Sequence, residues 1–176
     1  MLLVLSGLPG TGKSAVATEV ARLTGAVHLS VDAIEDALLG AGLESSWTTG
    51  VAAYEAVRAA AEQNLTLGRS VIVDAVNDSE IARETWRHAA TATGVSLTFV
   101  LLTLDDEAEH HRRLRGRRRD LSHIAEPTWN DVRRRAAEFE PWGGAHEHLD
   151  ANAPLLGLQQ AAQDIDELRR AFGGVA

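Results

Sequence analysis

The chain predicts an α/β fold: one domain built on a parallel sheet with helices on both faces. Three observations predict it. Strand-length runs that are apolar almost throughout alternate with longer stretches of helical spacing, the pattern of a sheet buried on both sides. A glycine-rich loop joins the first such run to the first helix. The 176 residues contain no repeat, no low-complexity tract and no linker, so the expected domain spans residues 1–176.

The elements follow in order. Leu2–Ser6 reads as a buried strand and Ser14–Leu23 as a helix. Val27–Ser30 is a second short strand, followed by a helix over Ala33–Leu39 and a loop over Gly40–Gly50. Apolar residues at Val51, Tyr54, Val57, Ala61 and Leu65 give helical spacing over Val51–Leu67, and Gly68 ends that helix. Ser70–Asp74 is the clearest strand. Ile81–Thr93 is a helix closed by Gly94, Val95–Leu104 a strand, and Asp105–Arg115 a helix. Thr128–Phe139 is a further helix, His146–Asp150 a last short strand, and Leu158–Phe172 a closing helix. In such sheets ligands bind beyond the carboxyl ends of the strands. The residues just after Ser6, Ser30, Asp74 and Thr103 are therefore the ones that matter for function.

Composition narrows the chemistry. Hydrophobic residues make up 45% and charged residues 24%, ordinary for a globular domain. With no cysteine, disulfides, thiolate metal sites and cysteine nucleophiles are excluded. Seventeen basic residues against 25 acidic ones give a net charge of −8, which argues against a general nucleic-acid coat protein. The start is apolar but has no basic leader, and no run approaches the ~20 apolar residues of a membrane helix, so a cytoplasmic protein is expected. Of the 17 basic residues 16 are arginine, and Lys13 is the only lysine. A lone lysine in an arginine-rich chain invites a chemical explanation, because a compact ammonium fits where a planar guanidinium does not.

Gly7-Leu8-Pro9-Gly10-Thr11-Gly12-Lys13-Ser14 matches G-x-x-x-x-G-K-[ST] at every fixed position, with a strand before it and a helix after it. Glycines let backbone N–H groups turn inward around a β-phosphate, and the helix presents its positive end to the anion. Lys13 reaches the β- and γ-phosphates, and the Ser14 hydroxyl ligates Mg²⁺. The Asn-Lys-x-Asp motif that reads guanine cannot exist in a chain whose only lysine is Lys13. Val71-Ile72-Val73-Asp74 is followed by Ala75, so the second acidic residue with which many ATPases activate water is missing. Both absences favour a kinase, whose acceptor is a hydroxyl.

Asp32, after the second strand, reads either as the carboxylate that orients an acceptor hydroxyl and takes its proton, or as the cap of the helix starting at Ala33 with Glu35 three residues on. The phosphate loop favours the first. Asp74 reads as a Walker-B-type carboxylate near Mg²⁺, or as a strand-end aspartate bonded to loop amides. Asn77, three residues before Glu80, reads first as a helix cap. Ser14, Asp32 and Asp74 are thus the candidate oxygen ligands of the metal.

Six arginines crowd into Arg112–Arg119, while the rest of the chain carries 11 basic against 25 acidic residues. A solvated helix face and a nucleic-acid patch are bland readings. The kinase reading is a lid over about residues 112–127 that closes on ATP, with Arg113 and Arg117 sharing a helix face if the helix continues that far. Several of the six must be solvated or paired with Asp120, Glu107 and Glu109. Among Arg133–Arg135 at least one is expected to be only solvated. His28 reads as packed, His110 and His111 lack metal-ligand spacing, and His146 and His148 alternate on a strand. Core packing is the first reading of Trp47, Trp129 and Trp142.

Together these features resemble the small P-loop kinases of the polynucleotide kinase, chloramphenicol phosphotransferase and zeta-toxin group, P-loop NTPases of the AAA_33 type. The resemblance rests on Gly7–Ser14, Ser30-Val31-Asp32, Val71–Asn77, and Arg113 with Arg117. It implies a five-stranded parallel sheet in the order 2-3-1-4-5, Mg-ATP as donor, Asp32 as acceptor-side base and an arginine lid. Polynucleotide kinases carry an arginine three residues after the base to grip the acceptor's phosphate. Here that position is Glu35, which would repel one. The expected function is ATP- and Mg-dependent transfer of the γ-phosphate to a hydroxyl of an antibiotic- or sugar-like small molecule lying against Asp32, the Gly40–Gly50 loop and the start of the Tyr54 helix. A polynucleotide 5′-hydroxyl kinase is one rival, and a nucleotide-binding switch without phosphotransfer is another.

Overall fold

Alternation along the strands decides which helices cover which face. In the computed structural model, which describes residues 1–117 and 120–151, strand β1 (Leu2–Ser6) turns Leu2 and Val4 to one side and Leu3 and Leu5 to the other. The first side meets Val71 and Val73 of β3 (Val71–Asp74) and Phe99 of β4 (Leu97–Thr103). It is covered by α2 (Val31–Gly40), α3 (Trp47–Thr66) and α4 (Glu80–Thr93) through Val31, Ala53, Val57, Ala61 and Trp86. The second side adds Ile72, Val100 and Leu102 and is closed by Ala17 and Val20 of α1 (Lys13–Thr24).

With β2 (Val27–Ser30) and β5 (Glu147–Asp150) at the edges, the sheet order is β2-β3-β1-β4-β5, all parallel. This is the order the resemblance implies. The sheet register does more than close the core. Ser30 pairs with Asp74, and Asp74 pairs with Leu5. The ends of β2, β3 and β1 are therefore level, so Asp32, Asp74 and the loop after Ser6 emerge side by side. Helices α5 (Glu107–Gly116) and α6 (Trp129–Glu138) flank this edge.

Boundaries shift in informative ways. Helix α2 begins at Val31, two residues before the expected start, with Ser30 as its N-cap. Helix α3 begins at Trp47 inside the expected loop, capped by Ser46, whose hydroxyl accepts from the Thr49 N–H. Trp47 is 82% exposed and packs in no core. Asn77 caps nothing. Ser79 caps α4 through the Ala82 N–H. The expected helix over Leu158–Phe172 lies outside the described residues, as do Arg118 and Arg119. Among the described residues no helix is long and apolar enough to cross a membrane.

Asn77 is instead fully buried with φ 54°, a left-handed backbone that asparagine tolerates better than most residues. Its Nδ2 donates to Ser6 Oγ at 2.8 Å, its Oδ1 accepts from Trp86 Nε1 at 2.7 Å, and its N–H donates to the Tyr54 hydroxyl at 3.2 Å. One side chain and its amide join β1, α3 and α4. Asn77→Ala leaves buried Ser6 and Trp86 groups without partners and should cost roughly 2–4 kcal/mol of folding free energy in urea denaturation. A loss below about 1 kcal/mol would remove Asn77 from that structural role.

Candidate active site

The glycine-rich loop starts where β1 ends, and its first residue admits no side chain. Gly7 has φ 138°, and a Cβ there would lie 2.3 Å from the Leu102 carbonyl oxygen. Its N–H donates to Val76 O at 3.1 Å, tying the loop to the segment after β3. Inside the loop, Leu8 O accepts from Thr11 Oγ1 at 2.9 Å and from Lys13 Nζ at 3.0 Å. Helix α1 begins with Gly12 as an N-cap that makes no side-chain bond, and its first turn carries no acidic residue. Its N–H groups and positive end therefore have no anionic side chain of their own. His110 of α5 is buried and donates from Nε2 to Pro9 O at 2.7 Å. Its ring crowds Gly10, where a Cβ would come within 3.1 Å. Trp129 stacks against His110 and His111 at ring-centroid distances of 5.2 and 5.1 Å, joining α6 to this brace.

Lys13 is buried, which pushes its ammonium pKa down to about 8 against the pull of Asp74 and Asp32. Asp74 is 4% exposed. Burial alone would raise its carboxyl, but His28, Lys13 and Ser14 outweigh that and hold it below the usual range. His28 Nε2 points at it from 3.9 Å, too far for a hydrogen bond, and has no bonding partner of its own.

Asp32 lies in the first turn of α2. It is therefore not the expected N-cap, because the helix starts before it. Its carboxylate faces Arg117, with Oδ2 3.7 Å from Nη2. Arg117 also approaches Glu126 at 3.9 Å. Helix α5 ends at Gly116 and the backbone at Arg117 is extended, so Arg113 and Arg117 do not share a helix face. Arg113 instead bonds Glu109 at 2.7 Å, as does Arg112 at 2.6 Å.

A cleft of about 320 Å³ opens beside the loop. Its charged walls are Asp32, Glu35 and Arg117 on one side and Asp131, Arg134, Arg135 and Glu138 of α6 on the other. Pro9, Val76 and Ile124 supply apolar surface. Neither the 40–50 segment nor Tyr54 lines it. Ile124, Ala125 and Pro127 line it together with α6. Asp36 explains this placement. Its carboxylate accepts from the N–H groups of Ser122, His123 and Ile124 at 3.2, 2.7 and 2.9 Å, clamping that segment onto α2. Against the raising effect of desolvation, these bonds pull its pKa down to about 2. Sequence reasoning missed Asp36, Arg135 and His110. Only the position of Asp36, one turn after Asp32 on the same helix, offered a signal.

A glycine-rich phosphate loop, a level row of carboxylates and a cleft at the sheet edge define a P-loop fold of the kinase type. The chain belongs to the AAA_33 family, an AAA domain, which matches residues 2–140. No protein of curated function matches significantly. Solved structures similar to it include a sugar kinase from Janibacter, 20% identical over 92% of this chain and 91% of that one, TM-score 0.68. The Mycobacterium tuberculosis APS kinase in complex with AMPPNP and APS is 20% identical over 94% and 96%, TM-score 0.68. Chaetomium thermophilum Kti12 in complex with ADP-AlF3 is 18% identical over 95% and 98%, TM-score 0.67.

The depressed pKa of Lys13 makes nucleotide binding proton-linked. Phosphate beside the ammonium returns its pKa toward the ordinary value, so the protein takes up a proton where the free lysine has lost it. Calorimetry of ATP binding in buffers of different ionisation enthalpy should show uptake of about 0.5 proton at pH 8 and about 0.1 at pH 7. Binding without uptake at pH 8 would rule out contact between a partly neutral Lys13 and the phosphates.

Proposed function

We propose that the protein is an ATP- and Mg²⁺-dependent phosphotransferase acting on a hydroxyl of a small molecule of antibiotic- or sugar-like size. The observation that carries this reading is the cleft itself: it is bounded by Pro9 of the phosphate loop and by Asp32, and Arg117 stands at the same wall. Phosphate and acceptor would thus meet at one carboxylate. A sugar kinase and an APS kinase among the similar structures agree with a small acceptor.

In this reading Gly7–Ser14 wraps the phosphates, Lys13 Nζ moves from Leu8 O to the β- and γ-oxygens, and Arg117 swings from Asp32 to the γ-phosphate. Asp32 then accepts the acceptor's O–H. The hydroxyl oxygen forms a bond to the γ-phosphorus, the bond from that phosphorus to the β–γ bridging oxygen breaks, ADP leaves, and the proton ends on the Asp32 carboxylate. Ser14 and the ionised Asp74 are hard oxygen donors suited to Mg²⁺, with Asp32 within reach of the same edge. Among the described residues no cluster of three or more candidate ligands forms a protein cage, which suits a metal that arrives on the nucleotide's phosphates. Bound there, Mg²⁺ would neutralise phosphate charge. Residues 112–127 would act as the lid, with Arg117 as its working arginine and Arg113 holding α5 through Glu109. The domain would be the whole of residues 1–176.

The carboxylates of the cleft weigh against a polynucleotide acceptor, and the place of Asp32 in the cleft beside the phosphate loop weighs against a switch without chemistry. Mass spectrometry of phosphoryl transfer from Mg-ATP should find product in a pool of hydroxyl-bearing metabolites and antibiotics and none on 5′-hydroxyl oligonucleotides. Asp32→Asn should lower kcat on the acceptor by about 10²–10⁴ while ATP affinity stays within a few-fold. Full transfer by that variant would remove Asp32 as the base.

A further inference from the structure

We infer that the acceptor carries a positive charge, a protonated amine near its reacting hydroxyl, and that Glu35 is the residue that selects it. This deepens the function proposed above and rests on it.

Among the described residues the cleft walls hold four carboxylates, Asp32, Glu35, Asp131 and Glu138, and three guanidinium groups. Each guanidinium already has an anionic neighbour: Arg134 bonds Asp131 at 2.9 Å, Arg135 lies 3.4 Å from Asp78, and Arg117 lies between Asp32 and Glu126. An acceptor bearing a carboxylate or phosphate would have to draw one of them from its partner. Glu35, by contrast, makes no hydrogen bond or ion pair among the described residues, although it is half-buried and lines the cleft.

Position adds the second step. Glu35 follows Asp32 by three residues on α2, so the two share a helix face. Burial and the nearby Asp32 charge raise the Glu35 pKa, with Arg135 attracting it only from beyond ion-pair distance. The cleft therefore holds a carboxylate whose negative charge is poorly compensated. Two carboxylates one turn apart thus face the acceptor, and only one is needed for the hydroxyl proton. An ammonium held between Glu35 and the acceptor's hydroxyl compensates the other. It also fixes which hydroxyl meets Asp32.

The test uses acceptor pairs that differ by one charge. Glucosamine and 2-deoxystreptamine are assayed with Mg-ATP beside their N-acetylated forms, with glucose and gluconate as neutral and anionic references. The expected result is a kcat/KM at least about tenfold higher for a free amine than for its N-acetyl form, and no use of gluconate. Glu35→Gln should shrink that preference by about tenfold through KM of the amine, leaving kcat and the KM of the N-acetyl form little changed. Glu35→Asp should restore part of the preference, which a merely structural role would not do. Equal use of amine and N-acetyl form, or preference for gluconate, overturns the inference and leaves the kinase reading standing. Transfer to neither amine, with product appearing in the broader pool only on neutral or anionic compounds, overturns it in the same way. If the glutamine variant fails to fold, the paired comparison on the unmodified protein decides alone.

Discussion

The hydrogen bonds of Asn77 hold the catalytic edge of the sheet in one piece. A buried asparagine has to satisfy both ends of its amide or lose stability. Here Ser6 and Trp86 do so, while the backbone N–H finds Tyr54. Because Ser6 is the last residue of β1 and Gly7 N–H reaches back to Val76, the start of the phosphate loop is fixed to the segment after β3 from two directions. Helices α3 and α4, far from any phosphate, thereby set where the loop begins. His110 does the same from the opposite flank through Pro9 O. The loop's own bonds to Leu8 O would not define its position against the sheet without these outside anchors.

Register then converts a held loop into a site. Parallel strands with level ends place Ser30, Asp74 and Leu5 in a row, so three short connections open onto the same space. Moving β2 by one residue would turn its side chains to the other face and carry Asp32 off this edge. The apolar alternation that prevents such a slip is the same alternation that builds the core. Fold stability and site geometry are therefore not separate demands on β1, β2 and β3.

This is also why the elements were legible along the chain and the long-range contacts were not. The glycine-rich loop is local: sequence, backbone conformation and chemistry all reside in eight consecutive residues. Strands β1 and β3, apolar at their centres, announce themselves, and Asp32 and Asp74 follow from being next to strand ends. Asn77 misled because Glu80 three residues on imitates a capping pattern, whereas its partners Ser6 and Tyr54 are 71 and 23 residues away. The far wall of the cleft was hidden for a similar reason. Nothing local in Asp36 says that it binds three amides 86 to 88 residues further on, and without that clamp the 120–127 segment has no assigned place. Composition alone does not say which arginines of the run are paired locally. Arg112 and Arg113 answer to Glu109 one turn earlier, and the helix stops before Arg117 can join them.

Arg117 gains its place from that stop. Extended backbone at the end of α5 lets its side chain approach Asp32 at the cleft wall, with Glu126 also near it. This guanidinium offsets part of the charge of Asp32. In the proposed reaction the same guanidinium is wanted at the γ-phosphate. One arginine would then serve the base before transfer and the phosphate during it, because both anions would lie at one sheet edge. Donor binding would in this way prepare the acceptor side, with no larger movement required than one side chain between two anions.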